Sequence, residues 1–257
     1  MENITKKLLK QIRRPFKSST VPNDITLEDQ RFQNIYKHCE SYSMTSPERM
    51  FALYKGIEYV VQNKIPGDIV ECGVWKGGSS MLAAMTCLVF GERARKIYLY
   101  DTYSGMAEPT EDDRQNTKHN ERARTKWDSL KRKDGNDWCF ASLEEVERNM
   151  NATGYPTDQL VFVKGRVEET LPQIKPDQIA LLRLDTDWYA STKHELKHLY
   201  PLLSQNGLLL IDDYGHWAGA KKAVDEFFDV HPIYLARIDN TARVGIKTNL
   251  HENDKPY

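Results

Sequence analysis

The sequence predicts an α/β fold: a mostly parallel seven-stranded sheet, helices on both faces, and an antiparallel strand at the C-terminal edge. Three observations carry that prediction. From residue 68 onward, short apolar runs alternate with helical stretches, the rhythm of βαβ units that gives a parallel sheet between two helical layers. The last two runs, Ile233–Ile238 and Arg243–Lys247, have no helix between them and so form an antiparallel hairpin at one edge. The 257 residues are 40% hydrophobic and 28% charged, which supports a sizeable core and argues against global disorder.

Taken in order, residues 1–24 read as a basic appendage set off by the breaker-rich stretch Lys17 to Asp24. Residues 25–250 read as a single domain, and 251–257 as a tail. Ser46-Pro47-Glu48 starts a helix, because Ser46 can cap the free N–H groups and Pro47 suits the first helical position. Met50, Leu53, Tyr54, Ile57 and Val61 give it an inward face, and Pro66-Gly67 ends it. Asp68–Val74 is the first strand, Ser79–Phe90 a helix and Lys96–Tyr103 the second strand. Residues 104–140 break the rhythm; so long a charged insertion, with Trp127 and Trp138 embedded, reads as a lid or a partner surface. A helix near Ser142–Asn151, the strand Gln159–Val167 and a helical turn over Glu169–Ile174 follow. Then come the strand Ile179–Asp185, the helix Ser191–Leu203, the strand Leu208–Asp212 and the helix Ala218–Phe228.

A net charge of −1 and a pI near 6.7 give no global attraction to nucleic acid or anionic membrane. Cys39, Cys72, Cys87 and Cys139 form no C-x-x-C pair or zinc spacing and read as buried, reduced thiols of a cytoplasmic protein. No apolar run could span a bilayer, and the basic N-terminus lacks a signal-peptide core. That N-terminus reads as a solvated helix, with a membrane-surface helix as the second reading.

Open α/β sheets bind ligands at the carboxyl ends of their strands, so those ends carry the chemistry. The first ends in Glu71-Cys72-Gly73-Val74-Trp75-Lys76-Gly77-Gly78-Ser79, a glycine turn into a helix N-terminus. It is neither G-x-G-x-x-G nor a phosphate loop, and alone it also fits an ordinary strand–helix turn. The second strand ends in Asp101, placed to accept from ribose hydroxyls, and the third in Gly165-Arg166-Val167-Glu168, a turn that suits an adenine edge. The fourth ends in Asp185-Thr186-Asp187 and the fifth in Asp212-Asp213. Crowded carboxylates with no His or Cys cluster point to a hard divalent ion, magnesium or manganese. Asp187 is either a supporting partner of that ion's ligands or a general base, with His216 as the rival base.

The segments GDIVECGVWKGGSSMLAA, LYDTYSGMAEPTEDD, LLRLDTDWYASTKHELKHLYPLL and LLLIDDYGHWAGAKKAVDEFF closely resemble the macrocin O-methyltransferase (TylF-type) family over residues 46–247. The resemblance implies a class I methyltransferase (Rossmann-like) fold, S-adenosylmethionine, Mg2+ and a sugar or glycoside acceptor. It implies metal ligation by Asp185, Asp212 and Asp213 and proton removal by Asp187, while members with a His base carry it where this chain has Trp188. Catechol-type O-methyltransferases are more distantly similar, and their lysine at that position is absent here. It also implies donor contacts from Glu71, Gly73, Trp75, Ser79, Asp101, Thr102, Gly165, Arg166, Val167 and Asp185. Tyr103, Met106 and Trp127 are expected acceptor contacts, Met106 fitting core packing equally well, and the chain is expected to form at least a dimer. A nucleotide-dependent oxidoreductase and a non-catalytic binding protein on the same scaffold are the rival readings.

Overall fold

The computed structural model describes residues 29–115 and 123–248, so the basic appendage and the 251–257 tail expected from the sequence lie outside it. Helix α1 (Gln30–Cys39) starts where the Asp29 carboxylate accepts from the Arg31 and Phe32 N–H groups, both at 3.0 Å. Helix α2 (Pro47–Gln62) starts at the predicted cap, with the Ser46 hydroxyl accepting from Arg49 N–H at 3.2 Å. Its inward face is Met50, Leu53, Tyr54, Ile57 and Val60; Val61, named from the spacing, is only partly buried, because 3.6-residue drift brings its neighbour inward instead.

The remaining helices and strands alternate: β1 (Asp68–Cys72), α3 (Gly78–Val89), β2 (Ile97–Asp101), then α4 (Ala123–Ser129) and the two-residue strands β3 (Lys131–Arg132) and β4 (Gly135–Asn136) inside the insertion. Next come α5 (Leu143–Asn151), β5 (Leu160–Lys164), α6 (Val167–Thr170), β6 (Ile179–Leu184), α7 (Tyr189–Leu199), β7 (Leu203–Ile211), α8 (Ala218–Phe228), β8 (Leu235–Arg237) and β9 (Arg243–Ile246). The main sheet has seven strands in the order β5-β2-β1-β6-β7-β9-β8. Five run parallel, and β9 is antiparallel to both β7 and β8. The strand order reverses between β1 and β6, so a crevice opens at their carboxyl ends. One apolar layer packs α2 and α3 against the sheet, and the other packs α7 and α8 against the opposite face.

Several boundaries differ from the sequence reading: the helix read over Ser191–Leu203 runs Tyr189–Leu199, and the turn read over Glu169–Ile174 runs Val167–Thr170. β7 starts at Leu203 rather than Leu208: Ile179 pairs with Leu203 but Leu181 with Leu208, so Asn206-Gly207, which look like a turn, ride inside the strand as a bulge. β5 ends at Lys164, because Gly165 turns the chain at φ +137° into α6. In the insertion, β3 and β4 are too short to show any period. They dock through Gly105 (φ +93°), where a Cβ would lie 1.8 Å from the Asn136 carbonyl oxygen. Among the described residues, no helix is long and apolar enough to cross a membrane.

Candidate active site

A cavity of 340 Å³ lies over the carboxyl ends of the parallel strands, between them and the insertion. Gly73 bends the end of β1 at φ +86°, and a Cβ there would meet the Asp185 carbonyl oxygen at 1.9 Å, so only glycine lets the β1 and β6 ends lie this close. Gly73, Trp75 and Ser79 all line the cavity, at the N-terminus of α3. Glu71 does not: its buried carboxylate faces away, toward Ser80 Oγ and Arg183 Nη1.

Asp101 ties the cofactor-side turns together. Its Oδ2 accepts from Val74 N–H at 2.7 Å and Trp75 N–H at 3.1 Å, and its Oδ1 accepts from Tyr103 N–H at 2.7 Å. The Thr102 hydroxyl has one proton, and the Gly105 carbonyl at 2.6 Å is a nearer acceptor than Asp101 at 3.4 Å. Of the Asp101 oxygens, Oδ2 takes two N–H groups of the fold and Oδ1 one, which leaves Oδ1 room for a further donor. Thr102, Gly165, Arg166 and Val167 line the same end, with Arg166 paired to Glu168 at 3.2 Å.

Asp185, Asp212 and Asp213 each offer an oxygen, and these three atoms lie within 4.8 Å of one another. The sequence reading gave these acids a metal as their neutralising charge; the structure adds two guanidinium groups. Arg183, 4% exposed, reaches Glu71 Oε1 at 2.5 Å, Asp185 Oδ2 at 2.7 Å and Asp212 Oδ1 at 2.6 Å. Burial opposes its charge, but the three carboxylates outweigh it and hold its pKa well above the ordinary value. Arg49 of α2 binds the second oxygen of Asp212 and also Asp239 at 3.0 Å.

Neither arginine reaches Asp213. Its Oδ2 is buried without a hydrogen-bond partner, and burial plus the charges of Asp187, Asp185 and Asp212 push its pKa well above the carboxylate range. Asp187 is hydrogen-bonded to the side chains of Asp213 and Trp217, and burial raises it to about 7. It sits at φ +69°, spanned by a hydrogen bond from Trp188 N–H to the Thr186 carbonyl at 2.8 Å, a γ-turn of the rare, strained hand. His216 lines the same cavity and is held below its ordinary pKa by burial, Arg49 and Lys126, so it is neutral at pH 7.

Of the expected acceptor contacts, only Met106 lines the cavity. Tyr103 turns into the core and donates to the Leu99 carbonyl at 3.0 Å. Trp127, buried within the insertion, donates to the Met106 carbonyl at 2.9 Å. Tyr103 thus joins the main apolar core, and the Trp127 ring carries the cations of Arg124 and Lys131 rather than facing the cavity. Trp138 and Trp217 line the cavity instead, packed with Trp188 in an aromatic trio whose centroids lie 4.9 to 6.0 Å apart. Trp188 donates to the Ala107 carbonyl at 2.9 Å, so the position where some family members have His here docks the insertion. Cys139 is half-buried on the cavity wall, unlike the other three thiols, which are buried in the core; all four are free. Arg183 had a signal in the sequence, the one cation in the otherwise apolar run that leads to Asp185 in IALLRLD; Arg49 and Lys126 had none.

The topology and this crevice define the class I methyltransferase fold. Solved structures agree. That of the O-methyltransferase NovP superposes with a TM-score of 0.70 at 31% identity, over 81% of this chain and 83% of that one. That of the calicheamicin methyltransferase CalS11, at 19% identity and a TM-score of 0.59, shares the fold. The family model for macrocin-O-methyltransferase (TylF) matches residues 2–244. Curated relatives include an 8-demethyl-8-(2,3-dimethoxy-α-L-rhamnosyl)-tetracenomycin-C 4'-O-methyltransferase of Streptomyces olivaceus, 33% identical over 68% of this chain. Demethyldecarbamoylnovobiocin O-methyltransferase of Streptomyces niveus and mycinamicin III 3''-O-methyltransferase of Micromonospora griseorubida are each 32% identical, over 74% and 75% of this chain. The matched regions span 63% of the first relative and 70% and 72% of the other two. The chain belongs to the macrocin-O-methyltransferase (TylF) family of O-methyltransferases.

Proposed function

We propose that this chain transfers a methyl group from S-adenosylmethionine to a hydroxyl of a sugar or glycosylated natural product, with a divalent ion, Mg2+ or Mn2+, held by Asp185, Asp212 and Asp213. One observation carries the reading: three carboxylate oxygens within 4.8 Å, one acid of the set having a buried oxygen without a partner, beside an Asp187 held near 7. Such an oxygen-only donor set fits a hard cation. A bound ion would act as a Lewis acid and ease loss of a proton from an acceptor hydroxyl.

The chain's own residues do the rest. The N–H groups at the start of α3 suit the donor's carboxylate, and Asp101 Oδ1 one ribose hydroxyl. Asp187 is placed to take the acceptor proton, and its contacts with Asp213 and Trp217 aim it. Trp138 and Trp217 give the acceptor apolar faces, and the insertion excludes water. The relatives' names point to the acceptor class, since two of them carry sugar positions or rhamnosyl groups in the name itself. Homo-oligomerisation belongs to the same reading, and Val230 and Tyr234, exposed near the outermost strand β8, offer area for it; a monomer by light scattering would contradict it.

The direct test is labelled methyl transfer from S-adenosylmethionine to a panel of free, nucleotide-linked and aglycone-linked deoxysugars, with and without chelator. Asp187→Asn should lower turnover by about a hundredfold or more while donor affinity measured by calorimetry stays near the wild-type value. Unchanged turnover moves the role to His216. Binding of NAD without S-adenosylmethionine would replace the reading altogether.

A further inference from the structure

Glu195 is a fully buried carboxyl near this site that the reaction does not use. It lies on α7, 0% exposed, and burial raises it to about 8. Its Oε1 accepts from the Thr186 hydroxyl at 2.9 Å, and its Oε2 has no partner. Thr186 is the middle of the Asp185-Thr186-Asp187 turn and lines the cavity. The Thr186 carbonyl accepts from Trp188 N–H at 2.8 Å, while the Ser191 hydroxyl, 3.4 Å from that carbonyl, has a nearer acceptor in the Trp188 carbonyl at 3.2 Å. From α7, then, it is Glu195 that holds the Thr186 side chain. The turn it holds is strained at Asp187, and a strained conformation persists only where its surroundings over-determine it.

We propose that Glu195 is a positioning residue: by holding the Thr186 hydroxyl it fixes the turn so that Asp185 and Asp187 face the cavity together. The inference rests on the metal reading above. A carboxyl that only filled core volume could be replaced by leucine without consequence for the aspartates. One that positions the turn should act through its acceptor oxygen, which glutamine retains and leucine lacks.

The test titrates Mn2+ into the full chain, followed by electron paramagnetic resonance in the presence of S-adenosylhomocysteine, with thermal midpoints measured alongside. Thr186→Val and Glu195→Leu should each weaken Mn2+ binding by about tenfold, the usual effect of losing a group that orients a metal ligand. Glu195→Gln should stay within about twofold of wild type, and the Thr186→Val/Glu195→Leu double variant should be no weaker than the weaker single one. Thr186→Val, which removes one hydroxyl at near-constant volume, carries the test if Glu195→Leu fails to fold. Wild-type affinity in both single variants, or Glu195→Gln as weak as Glu195→Leu, overturns the positioning role alone. A wild-type chain that holds no Mn2+ overturns the metal reading and this role with it.

Discussion

Arg183 carries one buried positive charge for three carboxylates, and α2 adds a second through Arg49. Removing one member of a buried charge group leaves its partners desolvated and unpaired, which costs more than the pair contributes. Arg183→Met, similar in volume but without charge, should therefore destabilise the metal-free chain by about 3–5 kcal/mol in urea unfolding. A shift below about 1 kcal/mol, the scale of a surface pair, would mean the acids are neutralised some other way. The acids of this site were legible in the sequence because each ends a strand, where the topology alone fixes position. The cations were less so: Arg183 lies two residues before Asp185 on the same strand, but Arg49 comes from a helix 163 residues away from Asp212. Nothing in a linear pattern marks which surface-type side chain will fold back over an acid.

At the scale of elements, the regular helices and strands were legible where period and caps agree, as in α2 with Ser46 and Pro47. They were misread where a local signal was overruled by the sheet. Asn206-Gly207 looks like a turn, yet hydrogen bonds with Lys247, just past β9, carry the strand through it: Asn206 N–H donates to the Lys247 carbonyl at 2.6 Å and Lys247 N–H to the Gly207 carbonyl at 3.0 Å. The insertion was legible as a break in the strand–helix rhythm by its length alone, and its internal wiring was not. Asp113, 1% exposed, accepts from Thr110 N–H at 2.7 Å and Thr110 Oγ1 at 2.8 Å, and with its other oxygen from Tyr189 N–H at 2.8 Å at the start of α7. It is thus the cap that α7 does not find within its own sequence, since Trp188 at the cap position makes no side-chain capping bond. Gly219 leaves room for it, because a Cβ there would lie 2.1 Å from Asp113 Oδ1. Asp113→Ala should cost about 1–2 kcal/mol of stability, as lost caps do, and should loosen the lid. Limited proteolysis should then cut within residues 104–140 faster than in wild type, and an unchanged cleavage rate would show that the aromatic trio holds the insertion without it.

At the scale of the whole molecule, the buried acids set how stability follows pH. Burial raises Glu195 from 4.5 to about 8 and Asp187 from 3.8 to about 7. Both folded values lie above the unfolded ones, so over the interval between them the native chain holds protons that the unfolded chain has released. Stability from these groups is complete below about pH 4 and is lost as pH rises through 7 and 8, by up to about 1.4 kcal/mol per pH unit for each group. His198 and His216, both lowered from 6.5, have the opposite sign, but they titrate below 6.5 and leave the upper part of the interval to the acids. In chelator, the urea midpoint should therefore fall between about pH 6.5 and pH 8, where an ordinary domain is near its plateau. Glu195→Gln should flatten the share that belongs to Glu195, because glutamine has no proton to lose. Mg2+ should flatten the share that belongs to Asp187 and its neighbours, since a cation on Asp185, Asp212 and Asp213 favours their ionised forms in the folded state. A midpoint that stays level in chelator would mean that these carboxyls ionise freely inside the fold, and the unpaired oxygens of Asp213 and Glu195 would then have to be solvated by water reaching the sheet edge.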